Sequence, residues 1–253
     1  MPDAKILAVA GKGGVGKTSI SAAMVRLLTH SYPAARILAI DADPAVGLST
    51  ALGFEPDTTL DDLRKALSAE VAARAGGGVG DLLAGVKERL RGAMLRRDGF
   101  DFLAIGRPET AGCYCAVNTY LRQVIGLLLH DYDLVVVDSE AGIEQVNRRV
   151  LERVTHLVLV TDASRKGTQV VRTVRAVADE LVMYEKCGVI VNRVTDADDM
   201  AFVELGDIPL LAVVGEDAAQ TEFDILGKSV FDLPPDAPIL RGTAEALRKL
   251  DIL

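Results

Sequence analysis

Eight consecutive residues, Gly11-Lys12-Gly13-Gly14-Val15-Gly16-Lys17-Thr18, carry the spacing Gly-x4-Gly-Lys-Thr, with Ser19 immediately after. Each residue type in that pattern has a job. Glycines let backbone N–H groups wrap a chain of phosphates, a lysine after the last glycine neutralises the β and γ phosphates, and the next hydroxyl can ligate Mg2+. The motif follows the apolar run Ile6-Leu7-Ala8-Val9-Ala10 and opens the helix-length stretch Lys17–Thr29. Strand, loop and helix in this order aim a helix N-terminus at the phosphates, which separates a phosphate-binding loop from a chance glycine cluster. The expectation is a Mg-ATP site formed by Gly11 to Ser19, with Lys17 on the phosphates and Thr18 on the metal.

Two further apolar runs end in acids. Val135-Val136-Val137 leads into Asp138, placed to reach Mg2+ directly or through water, and Ser139-Glu140-Ala141-Gly142 follows with a glycine able to act as a hinge. The second run leads into Asp41-Ala42-Asp43-Pro44. Ligands bind beyond the C-terminal ends of strands in open α/β sheets, so these carboxylates are candidates, although an acid there can also simply cap a turn.

Lys12 is not needed by the ordinary motif. With it, GKGGVGKT resembles the deviant phosphate-binding loop of the iron-protein, partition and cell-division ATPase class. That resemblance implies that Lys12 crosses a dimer interface to the partner's nucleotide, and therefore a homodimer that forms on ATP. Asp41-Ala42-Asp43-Pro44 resembles the first switch of the class, which makes Asp43 the candidate for orienting or activating the attacking water and Asp41 a support for Mg2+. Asn192, which ends Val189-Ile190-Val191, resembles its adenine-reading asparagine; a turn-forming Asn is the competing explanation.

Cys113-Tyr114-Cys115 lies between glycine and a helix-like stretch. Two thiols one residue apart supply half of a four-thiolate Ni or Zn site, and a two-fold axis would supply the other half by repeating the pair. Together with Arg107-Pro108-Glu109, the DxDP segment and Ala141-Gly142-Ile143-Glu144, the pair is similar to the nickel-inserting accessory ATPase family of carbon monoxide dehydrogenase (CooC type). The resemblance spans nearly the whole chain. It implies ATP-dependent maturation of a nickel-iron-sulfur client enzyme, with Cys113 and Cys115 of both subunits holding Ni2+ or Zn2+. Burial of both cysteines as small apolar residues is the plain alternative. An iron-protein-like reductase and a partition or septum-positioning ATPase are the competing functions; the first needs cysteines on well-separated loops, the second a basic DNA face or a membrane tail. Cys187 reads as a core residue, and His30, His130 and His156 have no metal-ligand spacing.

Positioning these residues requires an open sheet. Strand-like runs at 6–10, 36–40, 102–105, 134–137, 157–160, 189–191 and 210–213 are continuously aliphatic, as strands buried on both faces are. Helix-length stretches at 17–29, 117–129, 167–181 and 237–250 alternate with them, so the fold expected is α/β, a doubly wound, mainly parallel sheet flanked by helices. Residues 58–99 break the rhythm and read as a helical insertion with an elbow at Gly76-Gly77-Gly78. One domain over 1–253 is expected. The net charge of -8 disfavours nucleic acid as a partner. The opening residues leave no room for a secretory leader and no apolar run is long enough for stable membrane insertion, so a cytoplasmic location is expected. The mildly amphipathic end, residues 244–253, is expected to pack on the domain.

Overall fold

The computed structural model describes residues 4–73, 85–106, 123, 125–139, 154–181 and 183–253. Strands β1 (Lys5–Gly11), β2 (Ile37–Asp41), β3 (Leu95–Arg97), β4 (Phe100–Ala104), β5 (Leu134–Asp138), β6 (His156–Thr161), β7 (Lys186–Val194) and β8 (Leu210–Gly215) form one sheet. Its order is β3-β4-β2-β5-β1-β6-β7-β8. Among the described residues, the β3–β4 pair is antiparallel and the other pairs are parallel. The helices described alongside the strands include α1 (Lys17–Ser31), α2 (Gly47–Leu52), α3 (Leu60–Ala73), α4 (Val86–Ala93), α5 (Arg165–Leu181), α6 (Ala218–Leu226) and α7 (Pro238–Lys249).

Alternation along the central strands divides the apolar residues between two cores. Leu7 and Val9 face one side with Val136, Val158 and the α1 residues Ile20, Met24 and Leu28. Ala8, Val135, Val137 and Leu157 face the other, with Val171 and Ala178 of α5 and Leu63 and Leu67 of α3. Side chains on successive strand residues point to opposite faces, so an unbroken aliphatic run is required where helices cover both. The doubly wound parallel sheet expected from the sequence is the one observed.

The chain places β2, β4 and β5 on one side of β1 and then crosses to β6, β7 and β8 on the other. Such a reversal opens a crevice at the C-terminal ends of the strands beside the switch point. The loop after β1, Asp138 at the end of β5 and Asp41 at the end of β2 all lie at that edge, since β1 pairs with β5 and Asp41 is the register partner of Asp138.

The insertion departs from an all-helical reading. Its described parts are α3 and α4, but Leu95–Arg97 is a strand, paired with β4 through Arg96↔Asp101 and Arg97↔Phe100. Asp98-Gly99 makes the reversal, with Gly99 at φ +85°. An Asp-Gly pair between two short runs is a hairpin signal, and here it outweighs the helical tendency of the preceding Ala and Arg residues. The expected stretch 117–129 lies mostly outside the described residues; 125–129 are helical. The C-terminal segment packs as expected, with Ala246, Leu247, Leu250 and Ile252 buried in the α1 core. His156 ties it down: its ring contacts Thr155 Oγ1 at 2.7 Å and the Leu250 carbonyl at 3.2 Å.

Candidate functional site

The loop between β1 and α1 takes conformations that demand glycine. Gly11 (φ +146°), Gly14 (φ +79°) and Gly16 (φ +91°) are all in the positive region. A Cβ on Gly11 would stand 2.1 Å from the Val160 carbonyl oxygen of β6, and one on Gly16 2.5 Å from Asn192 Nδ2. The loop is pinned from β7: Asn192 Nδ2 donates to the Val15 carbonyl at 2.8 Å, and an Arg193 guanidinium N–H donates to the Gly14 carbonyl at 2.8 Å. Gly13, Gly14, Gly16, Lys17, Thr18, Asp43 and Arg193 line a cleft of about 360 Å³. A Cβ at Gly13 or Gly14 would meet nothing within 4 Å, so this side of the loop is an open backbone cradle. Lys17 Nζ donates to the Lys12 carbonyl at 3.1 Å, which curls the lysine over the loop.

Beneath the cleft the acids are joined to α1. Thr18 Oγ1 donates to Asp138 Oδ2 at 2.7 Å and Ser21 Oγ to Asp138 Oδ1 at 2.8 Å. Burial pushes the Asp138 carboxyl up to about 6, against the pull of the Thr18 and Ser21 hydroxyls and of Lys17. Asp41 is also fully buried. Burial first, and then the Asp138 charge, push it up to about 7, with the Leu48 and Asp43 amides acting in the opposite direction. Those amides occupy both its oxygens, Leu48 N–H at 2.8 Å and Asp43 N–H at 3.1 Å. Asp41 therefore shapes the Asp43 loop from beneath, through one backbone amide on each of its oxygens. Asp43 lines the cleft, and holds its own turn by accepting the Ala45 N–H at 2.8 Å.

Gly11 to Thr18, Asp43, Asp138 and Asn192 thus converge on one edge of the sheet. Ser19 sits apart from the cleft, with Oγ 3.4 Å from Asp224 Oδ2 of α6. Lys12 Nζ pairs with Asp162 Oδ2 at 2.9 Å. Cys113, Cys115, Arg107–Glu109 and Glu140–Glu144 lie outside the described residues. Among the described residues there is no cluster of three or more His, Cys, Asp or Glu able to hold a metal, and no helix long and apolar enough to cross a membrane. Sequence reasoning missed Asp162 and Arg193. Asp162 carried a usable signal, an acid one residue past an apolar strand, the same one that marked Asp138.

An open backbone cradle, a buried lysine at the start of a helix, and a hydroxyl joined to a buried carboxylate fit a phosphate chain with a hard divalent cation. Fold and site define a P-loop nucleotide-binding protein. The sequence family CbiA, the CobQ/CobB/MinD/ParA nucleotide binding domain, matches residues 6–230, and the chain belongs to that family. It is 33% identical over 250 residues to uncharacterized ATP-binding protein MJ0685 of Methanocaldococcus jannaschii, covering 97% of this chain and 98% of that one. It is 29% identical over 253 residues to the carbon monoxide dehydrogenase accessory protein CooC of Rhodospirillum rubrum, covering 95% and 94%. Its fold matches the septum site-determining protein MinD of Pyrococcus horikoshii, solved with Mg-ADP, with a TM-score of 0.71 at 21% identity over 98% of this chain and 96% of that one.

Proposed function

We propose that the chain is an ATP-hydrolysing, nucleotide-gated homodimer that assists nickel insertion into a carbon monoxide dehydrogenase or related nickel-iron-sulfur enzyme. The observation that carries this reading is the end-to-end similarity to CooC in a chain that also has Cys113-Tyr114-Cys115. The similarity to MinD is at an identity that speaks for the fold alone.

In this reading the Gly11–Thr18 amides and Lys17 hold the β and γ phosphates. Thr18, backed by Asp138, holds Mg2+, which supplies positive charge to the phosphate oxygens when bound. Asp43 orients a water so that its oxygen bonds to the γ phosphorus as the bond to the β-bridging oxygen breaks, ADP leaving with the electron pair. Phosphoryl transfer asks for little beyond this positioning and charge neutralisation. Lys12 leaves Asp162 and completes the partner's site. Closure brings two Cys113/Cys115 pairs to the two-fold axis, where four thiolates take one Ni2+ or Zn2+ as cargo. Hydrolysis loosens the dimer and releases it.

Anaerobic native mass spectrometry with nickel and a non-hydrolysable ATP analogue tests the proposal, because it counts subunits and metal together. One metal per dimer, lost in Cys113→Ser, is the expected result. A metal-free dimer that binds anionic vesicles only with ATP would replace the reading with a positioning ATPase, and an iron-sulfur mass would replace it with a reductase.

A further inference from the structure

Gln220 is the third residue of α6, whose N-cap Asp217 accepts the Gln220 backbone N–H at 2.9 Å. In a capping box the glutamine side chain at this position turns back to the cap residue's own amide. Here Nε2 instead donates to Asp224 Oδ1, one turn further on, at 2.7 Å. Gln220 is only 8% exposed, and its Oε1 has no hydrogen-bond partner among the described residues. A buried acceptor left unpaired is costly, so an atom in this state is a site for a donor.

The surroundings say where that donor comes from. Gln220 lines a small pocket of about 30 Å³ together with Asn192, Ser19, Thr221 and Asp224. Gly16 and Arg193 line both this pocket and the phosphate cleft. A ligand with its phosphates in the cleft therefore reaches the pocket with its nucleoside end. The enclosed volume admits the edge of a heterocycle, carrying one functional group, rather than a whole base.

Orientation supplies the selectivity. A primary amide can present either oxygen or nitrogen. A carboxylate offers only acceptors, so Asp224 keeps Nε2 on its own side and Oε1 on the other. We propose that Gln220 is a base-specificity residue, its Oε1 accepting a hydrogen bond from the exocyclic amine at C6 of adenine while Asp224 fixes the amide. A 6-oxopurine places an acceptor where Gln220 offers an acceptor, leaving both unpaired. The inference rests on the nucleotide-binding reading and deepens it.

The test compares Mg-ATP with Mg-ITP, which differ at the C6 edge of the purine, by calorimetry on the purified chain. The wild type is expected to bind ATP about tenfold or more tightly than ITP, the loss that follows when a built polar contact is unmet. Gln220→Leu brings the two within about twofold by weakening ATP, since the buried acceptor is gone. Asp224→Asn frees the amide to turn over and narrows the ratio by tightening ITP. Asp224 is exposed, so this second variant reports even where Gln220→Leu fails to fold. Equal binding of ATP and ITP by the wild type, or an unchanged ratio in Asp224→Asn, overturns the proposal. So does a Gln220→Leu effect that disappears with 2′- or 3′-deoxyATP, which would assign the contact to a ribose hydroxyl. Failure of the wild type to bind ATP overturns the parent reading instead.

Discussion

Lys12 Nζ lies 2.9 Å from Asp162 Oδ2, so the lysine proposed to serve a partner subunit is engaged by its own chain. Asp162 is itself held in place, since Ser164 N–H donates to its Oδ1 at 3.2 Å and the Ser164 hydroxyl at 2.5 Å. These bonds and the Lys12 contact keep its carboxyl below the ordinary range although burial pushes the other way. The two side chains are 28% and 30% exposed. A solvent-accessible pair of this kind contributes at most about 1 kcal/mol, a hold that dimerisation can break.

Asp162→Asn keeps an acceptor for Ser164 and removes the charge. The expected outcome is a melting temperature within a few degrees of the wild type and ATP-dependent dimerisation strengthened by up to about fivefold per lysine released. Sedimentation equilibrium across protein concentration measures this. Dimerisation that is unchanged or weaker shows that the pair does not compete with the dimer contact.

The glycines of the loop separate folding from binding. Gly11→Ala drives a methyl into the backbone carbonyl of Val160 across the β1–β6 pair, and is expected to be the most destabilising of the series. Gly16→Ala meets the Asn192 amide and keeps an unfavourable φ of +91°, at about 1–3 kcal/mol. Gly13→Ala meets nothing, so its melting temperature is expected to stay near the wild type while the new methyl, standing in the cradle, lowers ATP affinity about tenfold. Thermal melts with and without Mg-ATP check the order; a Gly13→Ala protein that melts early would mean that the cradle is not open.

The phosphate loop and Asp138 were legible in the sequence because their chemistry is written in one contiguous segment and one strand end. The parallel sheet was legible for a related reason, since strands covered on both faces cannot hide their aliphatic runs. Asp162 carried the strand-end signal but not its partner: its pairing with Lys12 spans 150 residues, the Arg193 contact with the Gly14 carbonyl spans 179, and no local spacing records either meeting. The β3 strand was misread through composition: Ala, Arg and Leu favour helix, and the Asp98-Gly99 turn that overrides them is only two residues long. Asp41 shows the limit of reading type without contacts, since a carboxylate at a strand end does not record the Leu48 and Asp43 amides that it accepts from.

Cys187 offers an internal control for the cysteine pair. Burial pushes its thiol up to about 11, with the Arg175 guanidinium opposing. At pH 8 its thiolate is then about one part in a thousand, and the thiolate is both nucleophile and metal ligand. Native protein treated with iodoacetamide at pH 8 is expected to leave Cys187 unmodified until denaturant is added, so that any metal-protected thiols belong to Cys113 and Cys115. Peptide mass mapping of the alkylated sites decides it; rapid labelling of Cys187 in the folded protein would contradict the raised, half-buried thiol.

The buried acids predict how stability depends on pH. Asp41 at about 7 and Asp138 at about 6 sit well above the ordinary value of 3.8. Raised carboxyl groups keep their protons in the folded state after the unfolded chain has lost them, so unfolding releases protons and the nucleotide-free protein loses stability as pH rises. The loss begins near pH 4 and is complete above about 7, and it is of the order of several kcal/mol for the two groups together. Asp138→Asn removes one of them while its amide can still meet the Thr18 and Ser21 hydroxyls, which donate or accept as needed. The variant is expected to melt later than the wild type at pH 8, to show a shallower decline between pH 5.5 and 8, and to gain little from Mg-ADP. The wild type should recover stability at pH 8 when Mg-ADP is added, because a cation beside Thr18 offsets the charge that makes the site costly. Melting curves at four pH values, each with and without Mg-ADP, measure both effects, and an Asp138→Asn slope equal to that of the wild type would show that this carboxyl is not the source.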